Sequence, residues 1–152
     1  MKTRNLITLI FSLLLLFPVL VSAKGEDNWL TNYDEAKAKA QKENKTLMLY
    51  FAGTDWCKPC ILLKRQIFET QEFEDFANDN LVIVMLDFPR LKKNKLPKEQ
   101  ITHNEALAEK YNQEGSFPLV VFTDTNGKVL DKSGFKSDGA TAYIKYVKSI
   151  MK

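Results

Sequence analysis

Two cysteines separated by two residues are the most chemically capable side chains in this chain of 152 residues. They lie in the segment Trp56-Cys57-Lys58-Pro59-Cys60, and the sequence holds no other cysteine. Thiols at this spacing can close on each other with little movement of the backbone, so the pair is a candidate for reversible exchange between a dithiol and a disulfide. The apolar run 46–52 precedes the pair and a helical pattern follows it, which is the context that favours a redox function.

A structural disulfide and a metal site are the two other uses of such a pair. A disulfide over so short a loop removes little chain entropy, roughly 2 kcal/mol against about 3 kcal/mol for a loop of about fifteen residues. Structural zinc requires four ligands, and His103, the one histidine in the sequence, is expected at the surface. Ile61 excludes the Cys-x-x-Cys-His motif of covalent haem attachment. We therefore expect no resident metal, and a module that carries copper on the two sulfurs is the alternative to an enzyme.

The first residues have the layout of a secretory signal peptide. Lys2 and Arg4 precede an uncharged stretch, and small residues up to Ala23 follow it, which predicts cleavage of residues 1–23. An uncleaved membrane anchor is the alternative, although the apolar run is shorter than the roughly 20 residues that span a bilayer. Residues 24–152 then carry 20 basic and 19 acidic side chains, a balance that points neither to nucleic acid nor to an anionic membrane as a general partner.

The rest of the sequence alternates between helical patterns and apolar strands. Helices are predicted at 33–43, 57–68, 72–77, 98–111 and 139–151, and strands at 46–52, 81–86, 119–123 and 128–132. Asn126-Gly127 between the last two strands predicts a hairpin because both residues tolerate positive φ. The order of elements predicts one α/β domain over residues 24–152, in which parallel strands come first and an antiparallel hairpin comes last.

Three motifs in this order resemble the thioredoxin superfamily over nearly all of residues 24–152. They are Asp55-Trp-Cys-Lys-Pro-Cys60, Phe117-Pro118 at the start of the hairpin, and the final helix. The chain is more closely similar to secreted thioredoxin-like proteins of the disulfide-bond-H type, through Phe51-Ala-Gly-Thr-Asp-Trp-Cys57, Asp87-Phe-Pro89 and Asn104-Glu-Ala-Leu107. The resemblance implies a thioredoxin fold, with a central mixed sheet flanked by helices, and a thiol–disulfide oxidoreductase that uses no cofactor.

Cys57 is the expected nucleophile and Cys60 the expected resolving cysteine. The amino end of a helix favours an anion, and Lys58 adds a positive charge, so both features favour the thiolate of Cys57. Cys60 lies one turn further along the helix and is expected to be more buried. Pro59, as in thioredoxin, favours a reductase, whereas Lys58 favours an oxidant. A reductase is the preferred interpretation, with an oxidant or an isomerase left open.

The resemblance also implies a substrate-binding ledge. By that match Pro118 forms a cis peptide bond facing the two sulfurs, Phe117 pairs its backbone with a bound peptide, and Trp56 borders the site together with Lys58 and Pro59. One departure concerns the buried aspartate that thioredoxin carries six residues before its first cysteine. That position is Phe51 here, with Tyr50 beside it, so the proton route at the second cysteine is unassigned.

A basic insertion, residues 89–98, separates the second strand from the fourth helix. Its cations are Arg90, Lys92, Lys93, Lys95 and Lys98. It is either a solvated loop or a docking patch for an acidic partner. We call residues 89–98 the basic segment. The sequence as a whole predicts a monomeric periplasmic disulfide reductase that acts on exported proteins containing disulfides and takes its electrons from a thiol reductant in the membrane.

Overall fold

The computed structural model describes residues 29–151, so the predicted signal peptide lies outside the described residues. Five α-helices and four strands make up the domain. In chain order they are α1 (Tyr33–Glu43), β1 (Thr46–Ala52), α2 (Lys58–Leu63), α3 (Gln71–Asn80), β2 (Leu81–Asp87), α4 (Lys98–Tyr111), β3 (Leu119–Thr123), β4 (Val129–Ser133) and α5 (Gly139–Ile150). Within residues 29–151 no helix is long and apolar enough to cross a membrane.

The four strands form one mixed sheet in the order β2-β1-β3-β4. β1 pairs with β2 in parallel, whereas β3 is antiparallel to both β1 and β4. Leu30 adds a single bridge to the free edge of β2, where its N–H donates to the carbonyl of Ile83. This architecture confirms the predicted α/β thioredoxin fold with parallel strands first and an antiparallel hairpin last.

The central strand β1 is buried on both of its faces, which explains its uniformly apolar sequence. Met48, Tyr50 and Ala52 point to the side covered by α2, α3 and α5. Leu47, Leu49 and Phe51 point to the side covered by α1 and α4. Both cysteines belong to the first of these two layers, so the redox pair is built on one face of the sheet.

Several predicted boundaries are wrong in instructive ways. The helix predicted at 57–68 is α-helical only to Leu63 and continues as a π-helical turn, Lys64–Phe68. The wider turn brings both Ile67 and Phe68 into the core, each with 1% of its surface exposed. α3 begins one residue earlier than predicted, directly after Thr70, whose side chain caps it by accepting the N–H of Phe73, and it continues to Asn80, three residues past the predicted end.

The hairpin is present, but its turn differs from the predicted one. Gly127 has a φ of 86°, whereas Asn126 does not adopt positive φ. The N–H of Gly127 donates to the carbonyl of Asp124, and the carboxylate of Asp124 accepts the N–H groups of Asn126 and Lys128. Because these hydrogen bonds to Asp124 stabilise the turn, the hairpin needs only one residue with positive φ, Gly127.

Candidate active site

The turn between β1 and α2 presents the first cysteine at a helix start. The N–H of Cys57 donates to the carbonyl of Gly53 at 2.9 Å, which closes the turn. A Cβ atom on residue 53 would lie 2.3 Å from the indole of Trp56, so only glycine lets this ring fold back over the turn. Cys57 is then the N-cap residue of α2.

Cys57 and Cys60 are joined as a disulfide with their Cα atoms 5.3 Å apart. The backbone N–H of Cys60 donates to Sγ of Cys57 at 3.3 Å. An N–H directed at this sulfur favours a thiolate there once the bond is reduced. Cys60 was expected to be more buried than Cys57. In the disulfide form the two differ very little, since 3% of the surface of Cys57 and 2% of that of Cys60 is exposed.

Tyr50, rather than residue 51, occupies the position beneath the second cysteine. Its hydroxyl donates to the carbonyl oxygen of Cys60 at 2.7 Å and is buried. Burial raises the pKa of Tyr50 well above its ordinary value, so the phenol stays neutral at physiological pH. Phe51 faces the opposite layer of the core, since alternate residues of a strand point to opposite faces.

A cavity of about 250 Å³ reaches Cys60 from the side of Tyr50. Its lining is mostly apolar and includes Ala52, Ile61 and Met85, with the charged side chains of Lys64, Arg65 and Glu69 also present. Cys60 therefore lines this cavity, whereas Cys57 and Trp56 do not.

Trp56 borders the redox pair and connects three parts of the chain. Its indole N–H donates to the carbonyl of Phe88 at 2.8 Å. The ring of Phe117 meets it edge-on with the ring centroids 5.4 Å apart. The guanidinium of Arg90 lies 3.6 Å from its ring centroid, within the range of a cation–π contact.

The predicted ledge directly precedes β3. The Phe117–Pro118 peptide bond is cis, Pro118 is buried, and Phe117 is half-buried. Asn112 fixes the turn before it, because its side-chain amide donates to the carbonyl of Ser116 and accepts the N–H of Ser116, each at 2.9 Å. The ring of Phe117 brings this ledge into contact with Trp56. Lys58 and Pro59 lie exposed at the start of α2.

Asp55 is the residue of this region whose partners the sequence analysis missed. Its carboxylate accepts the N–H groups of Arg90 at 3.0 Å and Leu91 at 2.9 Å, and the side-chain amide of Asn94 at 3.0 Å. These donors, that of Arg90 first, lower the pKa of Asp55. The basic segment is thus fastened to the residue next to Trp56. No sequence spacing marks a partner 35 residues away, so only the fold identifies it.

His103 is half-buried rather than at the surface as expected. Its Nε2 accepts the N–H of Tyr33 at 3.0 Å, which satisfies one of the free donors at the start of α1. Among residues 29–151 no group of three or more histidine, cysteine, aspartate or glutamate side chains is arranged to hold a metal ion.

Comparisons with known proteins agree with this geometry. A family model described as thioredoxin-like matches residues 28–125. A Chlamydia pneumoniae protein named disulfide bond reductase DsbH is 40% identical over 121 residues, which cover 80% of this chain and 71% of that protein. The thioredoxin-related protein DsbJ of the same organism is 30% identical over 114 residues, which cover 72% of this chain but 32% of that longer protein.

A solved structure, named DsbH oxidoreductase, has the same fold. It superposes with a TM-score of 0.75 at 33% identity, covering 99% of this chain and 94% of the other. The family match, the relatives and the paired cysteines Cys57 and Cys60 lead to one conclusion. The chain belongs to the thioredoxin-like family and is a disulfide oxidoreductase related to DsbH.

Proposed function

We propose that this chain is an exported disulfide reductase in which Cys57 is the nucleophile and Cys60 the resolving cysteine. The observation that carries the order of the two cysteines is the hydrogen bond from the N–H of Cys60 to Sγ of Cys57. It favours negative charge on Cys57, and the thiolate is the form that attacks disulfides. Two features support reduction as the direction: Pro59, and the similarity to the disulfide bond reductase DsbH, which is 40% identical.

The reaction proceeds in two exchanges. In the first, the thiolate of Cys57 attacks one sulfur of the substrate disulfide, and the other substrate sulfur leaves as a thiolate. In the second, Cys60 loses its proton and attacks Sγ of Cys57, which forms the Cys57–Cys60 disulfide and releases the second substrate thiolate. Two electrons pass from the protein to the substrate, and each released thiolate takes up a proton.

The substrate chain lies across the surface beside the disulfide. Phe117 and Pro118 supply the ledge on which an extended segment pairs its backbone. Trp56 provides an apolar wall, supported by its contact with Phe117. Lys58 and Pro59 are exposed at the helix start, where they contact the substrate next to its reactive sulfur.

The cysteine order is tested by two serine variants and a double control. Cys57→Ser abolishes turnover because the attacking sulfur is absent. Cys60→Ser permits the first exchange but blocks the second, so it accumulates mixed disulfides that dithiothreitol releases. Cys57→Ser/Cys60→Ser traps nothing. If Cys60→Ser also traps nothing from reduced protein and a disulfide substrate, the two-exchange scheme is wrong.

Export and partners form part of the same proposal. Residues 1–23 act as the leader, the mature monomer starts at Lys24, and a thiol reductant of the inner membrane reduces it again after each turnover. When the full chain is expressed in a Gram-negative host, the intact mass of the protein released from the periplasm should correspond to residues 24–152. Recovery of the uncleaved chain from the membrane fraction would contradict this location.

A further inference from the structure

The basic segment concentrates positive charge in a domain that is otherwise net acidic. It carries five cations and no acidic side chain. Outside the segment, residues 24–152 hold 15 basic and 19 acidic side chains. The five cationic side chains are exposed, and within residues 29–151 no ion pair forms with any of them. Their charge is therefore available to a partner.

The segment is held against the turn that carries the redox pair. Asp55 accepts two of its backbone N–H groups and the amide of Asn94, and Arg90 stacks on the ring of Trp56. A solvated loop needs none of these contacts. A short 3₁₀ turn, Lys92–Asn94, gives the lysines a defined backbone. The backbone that carries these cations is consequently held next to the turn that carries Cys57.

An aromatic surface lies between the ledge and the basic segment. The ring of Phe117 contacts both Trp56 and Phe88, with centroids 5.4 and 5.3 Å apart. Leu91, within the segment, leaves 48% of its surface exposed. A polypeptide that passes from the ledge to the segment thus meets apolar groups first and cations next.

We propose that the basic segment binds an Asp- or Glu-rich stretch of the substrate polypeptide, next to the disulfide that Cys57 attacks. This inference rests on the proposed function, because it names the substrate class of the same site. Complementary charge raises the rate of encounter and selects partners. The cations lie next to the ledge and the aromatic surface, so one polypeptide could contact all three and reach the redox pair. A membrane-binding patch would not need to lie beside the redox pair, so this arrangement favours a polypeptide.

The test compares three disulfide peptides of identical length whose residues beside the cysteines are acidic, neutral or basic. The reduced mature protein is mixed with each peptide, and the first exchange is followed at several salt concentrations by tryptophan fluorescence, to which Trp29 and Trp56 both contribute. At low salt the acidic peptide should react about tenfold faster than the basic one. The difference should shrink towards unity near 1 M salt, where the Debye length is about 3 Å.

Two variants of equal charge change assign the effect to a surface. Lys92→Glu/Lys93→Glu should abolish or reverse the preference, whereas Lys39→Glu/Lys42→Glu on α1, which covers the other face of the sheet, should retain it. Asp55→Ala keeps all five cations but removes their anchor, and should also weaken the preference. Thermal unfolding of each variant confirms that it is folded before its rates are compared.

The outcomes separate this inference from the proposed function. Reduction of all three peptides at equal rates, with equal salt dependence, overturns the docking surface and leaves the reductase intact. Failure to reduce any peptide overturns the proposed function. Equal peptide rates together with lysine-dependent binding to phosphatidylglycerol vesicles would identify a membrane contact and also overturn the inference.

Discussion

A buried phenol, that of Tyr50, lies beneath Cys60, the proposed resolving cysteine. Thioredoxin carries an aspartate in this region, whereas here the buried phenol donates to the backbone carbonyl of Cys60. The bond reaches the carbonyl and not the sulfur, and the raised pKa of Tyr50 keeps the hydroxyl neutral. The hydroxyl of Tyr50 therefore contacts the first turn of α2, and we predict that it does not accept the proton of Cys60.

Replacing Tyr50 by phenylalanine should reduce stability without changing the chemistry. Loss of one buried hydrogen bond lowers the free energy of unfolding by roughly 1 kcal/mol, as measured by urea denaturation of the oxidised protein. The rate of disulfide reduction should remain that of the unaltered protein from about pH 7 to about pH 10, a range that extends about 1.5 units on either side of the pKa of an ordinary thiol, about 8.5.

Tyr143→Phe is the matched control for this change. It removes another buried hydroxyl, which lies 3.3 Å from Oγ of Ser133 and belongs to the same layer of the core. It should have a comparable effect on stability and none on the rate. A shifted pH profile in Tyr50→Phe alone would show that the hydroxyl takes part in proton transfer, contrary to our assignment.

At the scale of elements, the basic segment and the β1–α2 turn behave as one unit through Asp55. The pKa of this carboxyl lies below its ordinary value of 3.8 because the N–H of Arg90, then that of Leu91 and the amide of Asn94, donate to the ionised form. The stabilisation is thus complete above the ordinary pKa and is lost as the pH falls through the lowered one.

We expect the backbone amide signals of Arg90 and Leu91 to follow this titration. In NMR spectra they should shift with an apparent pKa below 3.8, the ordinary value for this carboxyl, and the shifts should disappear in Asp55→Asn. Amide signals that stay constant, or that titrate at or above the ordinary value, would show that the anchor is absent in solution.

Sequence patterns correctly predicted the helices and strands that are marked by an uninterrupted local pattern of residues. The bounds of α1, β1, α4 and β3 agree with the prediction, since continuous helical or apolar patterns mark them. The π-helical turn of Lys64–Phe68 was missed because it depends on core packing around Phe68, whose ring contacts those of Tyr50 and Phe73. Tertiary contacts of this kind leave no periodic signal.

At the scale of the whole molecule, some parts of the site could be predicted from local sequence motifs, whereas others depend on tertiary contacts. The two cysteines and the Phe117-Pro118 pair could be found from local motifs and the resemblance they carry. The contacts of Asp55 and Arg90 with the rest of the site arise only when β1 and β2 align in parallel, with Ala52 opposite Asp87, so that the segments after both strands emerge at the same edge. The site therefore depends on the parallel pairing of β1 and β2 as well as on the Cys-x-x-Cys motif.

The midpoint potential of the Cys57–Cys60 pair tests the proposed reductase most directly. A protein of residues 24–152 is equilibrated in dithiothreitol redox buffers and read by tryptophan fluorescence, from Trp29 and Trp56 together, and by alkylation of free thiols. We predict a reversible two-electron transition near that of thioredoxin, about −270 mV. A midpoint near about −120 mV would identify an oxidant, and the absence of any reversible transition would contradict the redox function itself.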